Sequence, residues 1–290
     1  MTSKPLNFLI AESEPPESRD KRRESVGRSS GETYEAVLRH IAPAAKLSRI
    51  APADGVIDSA ARQALESADG VFFTGSPLHL YDETAEGRRV VEFMRAVFAS
   101  GTPAFGSCAG LQVATVAAGG SVGPMKGRRE AGFARRLHLT EEGAGHPLLD
   151  GRPPVFDAPA IHTDEVTALP EASTLLCVNT TTRIQAAEIR CGDGLFWGVQ
   201  YHPEISLYEI AAALRRQADD LIEHGLAPDA DTVADHAALI EALHDAPDRR
   251  DLAWRLGVDS EVIVPERRTR EIRNFVERLV LPTRSRRGRA

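Results

Sequence analysis

Up to residue 108 the chain repeats one pattern four times: a short apolar run followed by a stretch with helical spacing. The runs are "LNFLIA" (6–11), "AKLSRIAP" (45–52), "GVFFTG" (70–75) and "TPAFGSC" (102–108). Between them lie "ETYEAVLRHI", "SAARQALESA" and the amphipathic "AEGRRVVEFMRAVFAS". Continuous apolar runs without a polar face suit strands buried on both sides, and helices between them make the crossovers of a parallel sheet. The expected fold is therefore α/β, a mostly parallel central sheet with helices on both faces in three layers. The polar, proline-bearing stretch 12–31 interrupts this rhythm and is expected to be disordered or a functional loop.

After Gly120 five strand-like segments, "GFARRLHLT", "PVFDAPAIH", "STLLCVNTT", "RIQAAEIRC" and "LFWGVQYH", predict a mixed or antiparallel extension of the sheet. At Ser206 the texture turns helical. "SLYE" has the form of a capping box, and Leu207, Ile210, Leu214, Leu221 and Ile222 recur at helical spacing until Gly225. Further helices are expected around 232–244, 248–256 and 265–280. The organisation read from this is a domain over 1–205 and a helical C-terminal extension over 206–290.

Composition removes several classes. Hydrophobic content of 42% and charged content of 27% are ordinary for a globular chain. No apolar run approaches the ~20 residues a membrane-spanning helix needs, and the polar start does not read as a signal peptide. Three cysteines, Cys108, Cys177 and Cys191, are too few and too scattered for a disulfide framework, which points to the reducing cytoplasm. No Cys/His cluster has metal-ligand spacing, and "GDG" at 192–194 is a hairpin signal, so neither a metal nor another cofactor is expected. The net charge of −7 conceals twelve arginines against seven acids from Asp248 to Ala290. The ending "RSRRGRA" reads as a solvated basic tail. No aromatic residues are interleaved with the arginines, so nucleic acid is not expected as a partner.

The chemistry concentrates at "GTPAFGSCAGLQ" (101–112). A strand that ends in Gly-x-Cys-x-Gly and runs directly into a helix has the form of a nucleophile elbow. Gly106 and Gly110 supply room for a tight turn, and the helix start favours developing negative charge. The other reading is a small core cysteine beside two incidental glycines, and the pentapeptide alone does not decide between them. A cysteine nucleophile needs a base with an orienting partner. "WGVQYHPEIS" (197–206) offers His202 and Glu204, two residues apart, where strand alternation would put them on one side.

"GSCAGLQ" followed by "GVQYHPE" resembles the class I glutamine amidotransferase family, and is similar to the glutaminase domain of GMP synthase in a stand-alone form. "FFTGSP" (72–77), "RREAGF" (128–133) and "IHTDEVTALP" (161–170) agree with the family's order and spacing, so the resemblance covers roughly residues 45–205. It implies that Cys108 attacks the side-chain amide of glutamine to form a γ-glutamyl thioester, that His202 moves the protons, and that Glu204 orients His202. It further implies oxyanion donors at Ala109 and the Gly75–Ser76 turn, and a substrate contact from Gln112. Ser76 stands where the family usually has a second glycine. His162 and Asp164 either shape the pocket or form a polar pair at a strand end; Cys177 and Cys191 are expected in the core or at an edge.

No Gly-rich pyrophosphate loop follows, so GMP synthesis by this chain alone is excluded. What remains is a glutaminase that passes ammonia to a separate synthase subunit, or a stand-alone hydrolase of γ-glutamyl amides or peptides. A non-catalytic scaffold with this fold is a third reading. Homo-oligomerisation stays open.

Overall fold

The computed structural model describes residues 4–127 and 129–286. Its strands are β1 (Asn7–Ala11), β2 (Lys46–Ile50), β3 (Gly70–Phe73), β4 (Ala104–Ser107), β5 (Ser121–Pro124), β6 (Glu130–Leu139), β7 (Val155–His162), β8 (Asp164–Ala168), β9 (Ser173–Val178), β10 (Ala186–Cys191) and β11 (Gly194–Val199). Helices α1 (Pro16–Val26), α2 (Ser30–Ile41), α3 (Ser59–Ser67), α4 (Ala85–Ser100) and α5 (Ala109–Ala117) connect the first strands. Later come a single turn α6 (Glu141–Ala144), then α7 (Leu207–Arg216), α8 (Ala218–Glu223), α9 (Ala230–Asp245) and α10 (Arg250–Leu256).

Nine strands form one sheet in the order β2-β1-β3-β4-β11-β10-β9-β6-β7, and β5 pairs with β8 separately. The first five in that order run parallel, and the remaining four extend them antiparallel. Alternation along β1 sorts the two cores. Phe8 and Ile10 face a core shared with Tyr34 and Phe72, while Leu9 and Ala11 face one shared with Phe73, Phe93 and Leu111. The chain passes from β1 to β2 on one side and returns to β3 on the other. The C-terminal ends of β1 and β3 therefore diverge at a topological switch point, where open α/β sheets leave a crevice.

The segment after Ser206 divides in two. Helices α7 to α10 gather around their own core of Ile210, Leu214, Val233, Ile240, Leu252 and Leu256, closed by Phe133 of β6. Ile272, Phe275, Val276 and Leu279 instead join the core beneath the sheet, with the Phe275 ring edge-on to Phe72 at 5.2 Å. Arg152 ties these last turns down. Its guanidinium is 1% exposed and bonds Glu271 (2.7 Å) and Glu261 (2.8 Å).

Two expectations are corrected. The stretch 12–31 contains helix α1, opened by Pro16 and stopped by Gly27 at φ 81°. Only Arg22 and Val26 of it are buried, so it shows no apolar period by which a helix could be read. The basic ending is not wholly solvated either: Arg284 is buried and donates to the Lys4 carbonyl at 2.6 Å. Residues 287–290 of that tail, and Arg128, lie outside the described residues.

Candidate active site

Cys108 stands between β4 and α5 with φ 51° and ψ −109°, a backbone region a non-glycine residue occupies only when its surroundings enforce it. The neighbouring glycines do the enforcing. A Cβ on Gly106 would lie 2.9 Å from the Gly110 Cα, and one on Gly110 would lie 2.9 Å from the Phe73 carbonyl oxygen. The turn therefore closes only with glycine at both places. The Cys108 amide donates to the Val199 carbonyl (2.8 Å), which couples the turn to β11.

Strand β11 carries His202 and Glu204 past its end to the same spot. His202 is buried, and its Nδ1 bonds Glu204 Oε1 at 2.7 Å. That leaves Nε2 free of Glu204, and Cys108 and His202 line the same cleft. Burial alone would depress the imidazole, but the Glu204 carboxylate and Cys108 outweigh it and push His202 up to about 10. Gly75 makes room for this ring, because a Cβ there would stand 2.9 Å from His202 Cε1.

Glu204 is itself held. Its Oε1 also accepts from Ser107 Oγ (2.8 Å), and Ser107 bonds the Tyr34 hydroxyl (2.7 Å). Burial and the Glu204 charge keep that phenol well above its ordinary value, hence neutral. Ser107 and Tyr34 did not stand out in the sequence. The only signal was a serine directly before the cysteine, since a strand places neighbours on opposite faces.

The remaining sequence-derived residues fall into two groups. Ala109 opens α5, whose first N–H groups have no intrahelical partner. Gln112 lines the cleft, and its Nε2 donates to the Asp164 carbonyl (3.1 Å) and to Gln200 Oε1 (3.3 Å). Ser76 Oγ donates to the Ser13 carbonyl (3.0 Å) and accepts from the Leu78 amide (3.2 Å). Serine fits there because Ser76 is not among the positive-φ residues. His162 lines the cleft but is bound elsewhere: Nε2 contacts Glu130 Oε2 (2.8 Å) and Nδ1 the Asp164 carbonyl (2.9 Å). Asp164 takes His79 Nδ1 (2.7 Å) and the Tyr81 hydroxyl (3.1 Å). Cys177 is buried in β9, where burial pushes its thiol up, and Cys191 is half-buried at the end of β10.

Cys108, Gln112, His162, His202 and Glu204 open into one cleft of about 390 Å³ over the switch point. Its far wall is α1 and α7, which the sequence did not place there. Glu209 holds that wall. One oxygen completes the capping box of α7 with Ser206, and the other accepts from Arg22 of α1 (3.0 Å) and from Thr33 of α2.

Fold and cleft together define an α/β protein with a cysteine, a histidine and a glutamate meeting at the carboxyl edge of a parallel sheet. The family model "Glutamine amidotransferase class-I" matches residues 33–218. The chain belongs to the class I glutamine amidotransferase family and is an enzyme of the hydrolase type found there. It is 36% identical over 288 residues to a γ-glutamyl-L-1-hydroxyisopropylamide hydrolase of a Pseudomonas species, covering 97% of this chain and 95% of that one. It is 34% identical over 136 residues to a glutamine-hydrolysing GMP synthase of Lactococcus lactis, covering 47% of this chain but 24% of the synthase. Among solved structures, a glutamine amido transferase from Methylobacillus flagellatus has a similar fold, with TM-score 0.60, 16% identity, and coverage of 94% and 93%. Among the described residues no helix is long and apolar enough to cross a membrane.

Proposed function

We propose that the chain hydrolyses γ-glutamyl amides through a thioester on Cys108, acting as a stand-alone hydrolase. The observation that carries this is Cys108, presented by a strained, glycine-bounded turn into the same cleft as a His202 ring bound to the Glu204 carboxylate. In the first half-reaction the sulfur bonds to the γ-carbonyl carbon and the C–N bond breaks. His202 delivers a proton to the departing amine. The oxyanion formed in between sits at the N–H of Ala109 and the Gly75–Ser76 turn. In the second half-reaction water, deprotonated by His202, attacks the thioester. Glutamate leaves and the thiol regains its proton. Glu204 keeps the ring oriented throughout, and Gln112 contacts the γ-glutamyl group. His162, tied to Glu130, shapes the pocket wall and transfers no proton.

The near full-length match to an amide hydrolase favours this reading over ammonia delivery to a synthase subunit, because the GMP synthase match spans only a quarter of that enzyme. The synthase-linked glutaminase remains the second reading, supported by the same GMP synthase relatives. Three scattered cysteines suit work in a reducing cytoplasm. The test is intact-mass detection of a γ-glutamyl adduct on Cys108 after rapid quenching with a γ-glutamyl amide, together with amine release. No adduct and no release with γ-glutamyl amides, but ammonia from glutamine once a co-purifying protein is added, would favour the synthase-linked reading.

A further inference from the structure

The cleft is larger than a γ-glutamyl group needs, and its extra room has a chemical character. Its lining includes Gly75, Ser76 and Gln112, assigned above to the oxyanion and the glutamyl end. It also includes Lys21 and Arg22 of α1 and Glu209 and Arg216 of α7, which that assignment leaves unused. The substituent of the leaving amine is assigned to this second group of residues.

Two guanidiniums and an ammonium converge there. Arg22 is 8% exposed; its Nη2 is spent on Glu209 and Thr33, and its Nε has no hydrogen-bond partner although buried. Arg216 of α7 stands at the rim, donates Nη1 to Ser25 Oγ (2.7 Å), and forms no ion pair among the described residues. Lys21 lies at the rim as well and pairs with Glu17 (2.8 Å). The acids facing this space do not balance the arginines. Glu209 is committed to Arg22 and the α7 cap, and Asp220 to Arg129. Glu14 is buried, and desolvation raises its carboxyl toward the neutral form against the pull of Arg22. A buried guanidinium with an unused N–H, sharing the cleft with a second guanidinium, Arg216, that forms no ion pair among the described residues, is an arrangement an anion would complete.

Accordingly, and resting on the hydrolase reading above, we infer that the α1–α7 wall is a leaving-amine subsite for γ-glutamyl amides whose amine carries a carboxylate, with Arg22 and Arg216 as its recognition pair. An amino acid joined through its nitrogen to the γ-carboxyl of glutamate is the simplest such substrate. The chemistry is unchanged: the C–N bond breaks, His202 supplies the proton, and a free amino acid departs.

The discriminating pair is γ-glutamyl-alanine and γ-glutamyl isopropylamide, which differ by a carboxylate in place of one methyl group. Binding is measured by calorimetry on full-length Cys108→Ser protein, and kcat/KM on the unaltered enzyme. The expected result is at least tenfold preference for γ-glutamyl-alanine in both, narrowed about tenfold by Arg216→Gln and partly retained by Arg216→Lys. Equal binding of the two ligands, or an Arg216→Gln effect that is the same for both, overturns the inference whatever the enzyme's activity. Carboxylate-dependent binding without amide hydrolysis would instead leave the subsite standing and refute the hydrolase reading.

Discussion

Replacing Glu204 by glutamine isolates one physical quantity, the negative charge behind the histidine. Glutamine has nearly the same shape, and its amide oxygen can keep both the His202 Nδ1 contact (2.7 Å) and the Ser107 contact (2.8 Å). What disappears is the charge. A unit charge about 4 Å away contributes on the order of 4 kcal/mol at an effective dielectric near 20, whereas exchanging a charge-assisted hydrogen bond for a neutral one costs about 1 kcal/mol. At about 1.4 kcal/mol per pKa unit, the two figures bracket a fall of roughly one to three units. His202 should therefore drop from about 10 toward the range of an ordinary histidine. The sign follows from its role. In the proposed mechanism the protonated ring expels the amine, so the alkaline limb of kcat/KM should move to lower pH in Glu204→Gln. The plateau should fall about 10- to 100-fold from poorer orientation. The assay is amine release from a γ-glutamyl amide between pH 6 and 11, with circular dichroism confirming the fold. An alkaline limb at the same pH as the wild type, in a folded variant, would refute the coupling between Glu204 and His202.

Other perturbations test separate parts. Cys108→Ser should abolish turnover and the γ-glutamyl adduct while leaving the thermal midpoint within a few degrees of wild type; normal amine release would remove Cys108 from the mechanism. Arg152→Met strands two buried carboxylates, Glu261 and Glu271, and should destabilise by about 3 to 5 kcal/mol in urea unfolding; a change below about 1 kcal/mol would show that the cluster does not hold the last turns. Burial alone would raise Glu188, but hydrogen bonds from His146 and Trp197 and the Arg190 charge bring it down to about 2. Its folded value lies below its unfolded one, so its stabilisation is present above pH 4.5 and lost as pH falls toward 2. On the order of 3 kcal/mol is linked to that window. Glu188→Gln should flatten the acid limb of stability against pH by that amount, and identical slopes in both proteins would contradict the assignment.

What could be read from residues alone follows from which constraints are local. The elbow was legible because its requirement is local: Gly106 and Gly110 touch each other and Phe73, and no other residue fits. "VQYHPE" was legible because strand β11 delivers His202 and Glu204 in a fixed order beside β4. Helix α1 was not legible, because its partners are the walls of a cleft and not a core. A helix that presents Arg22 to Glu209, 187 residues away, carries no apolar stripe, and its charges read as a loop. Glu209 was recognised as a cap, but its second carboxylate oxygen could be assigned only once α1 and α2 were in place. His162 shows the same limit: it lines the cleft beside Asp164, but nothing in its spacing to Asp164 pointed to Glu130, 32 residues earlier, as the carboxylate that holds its Nε2. In this fold the proposed nucleophile is announced by tight backbone geometry that the sequence itself displays. The proposed leaving-amine residues, Arg22 and Arg216, are brought together only by α1 and α7 lining one cleft, so the sequence alone could not single them out.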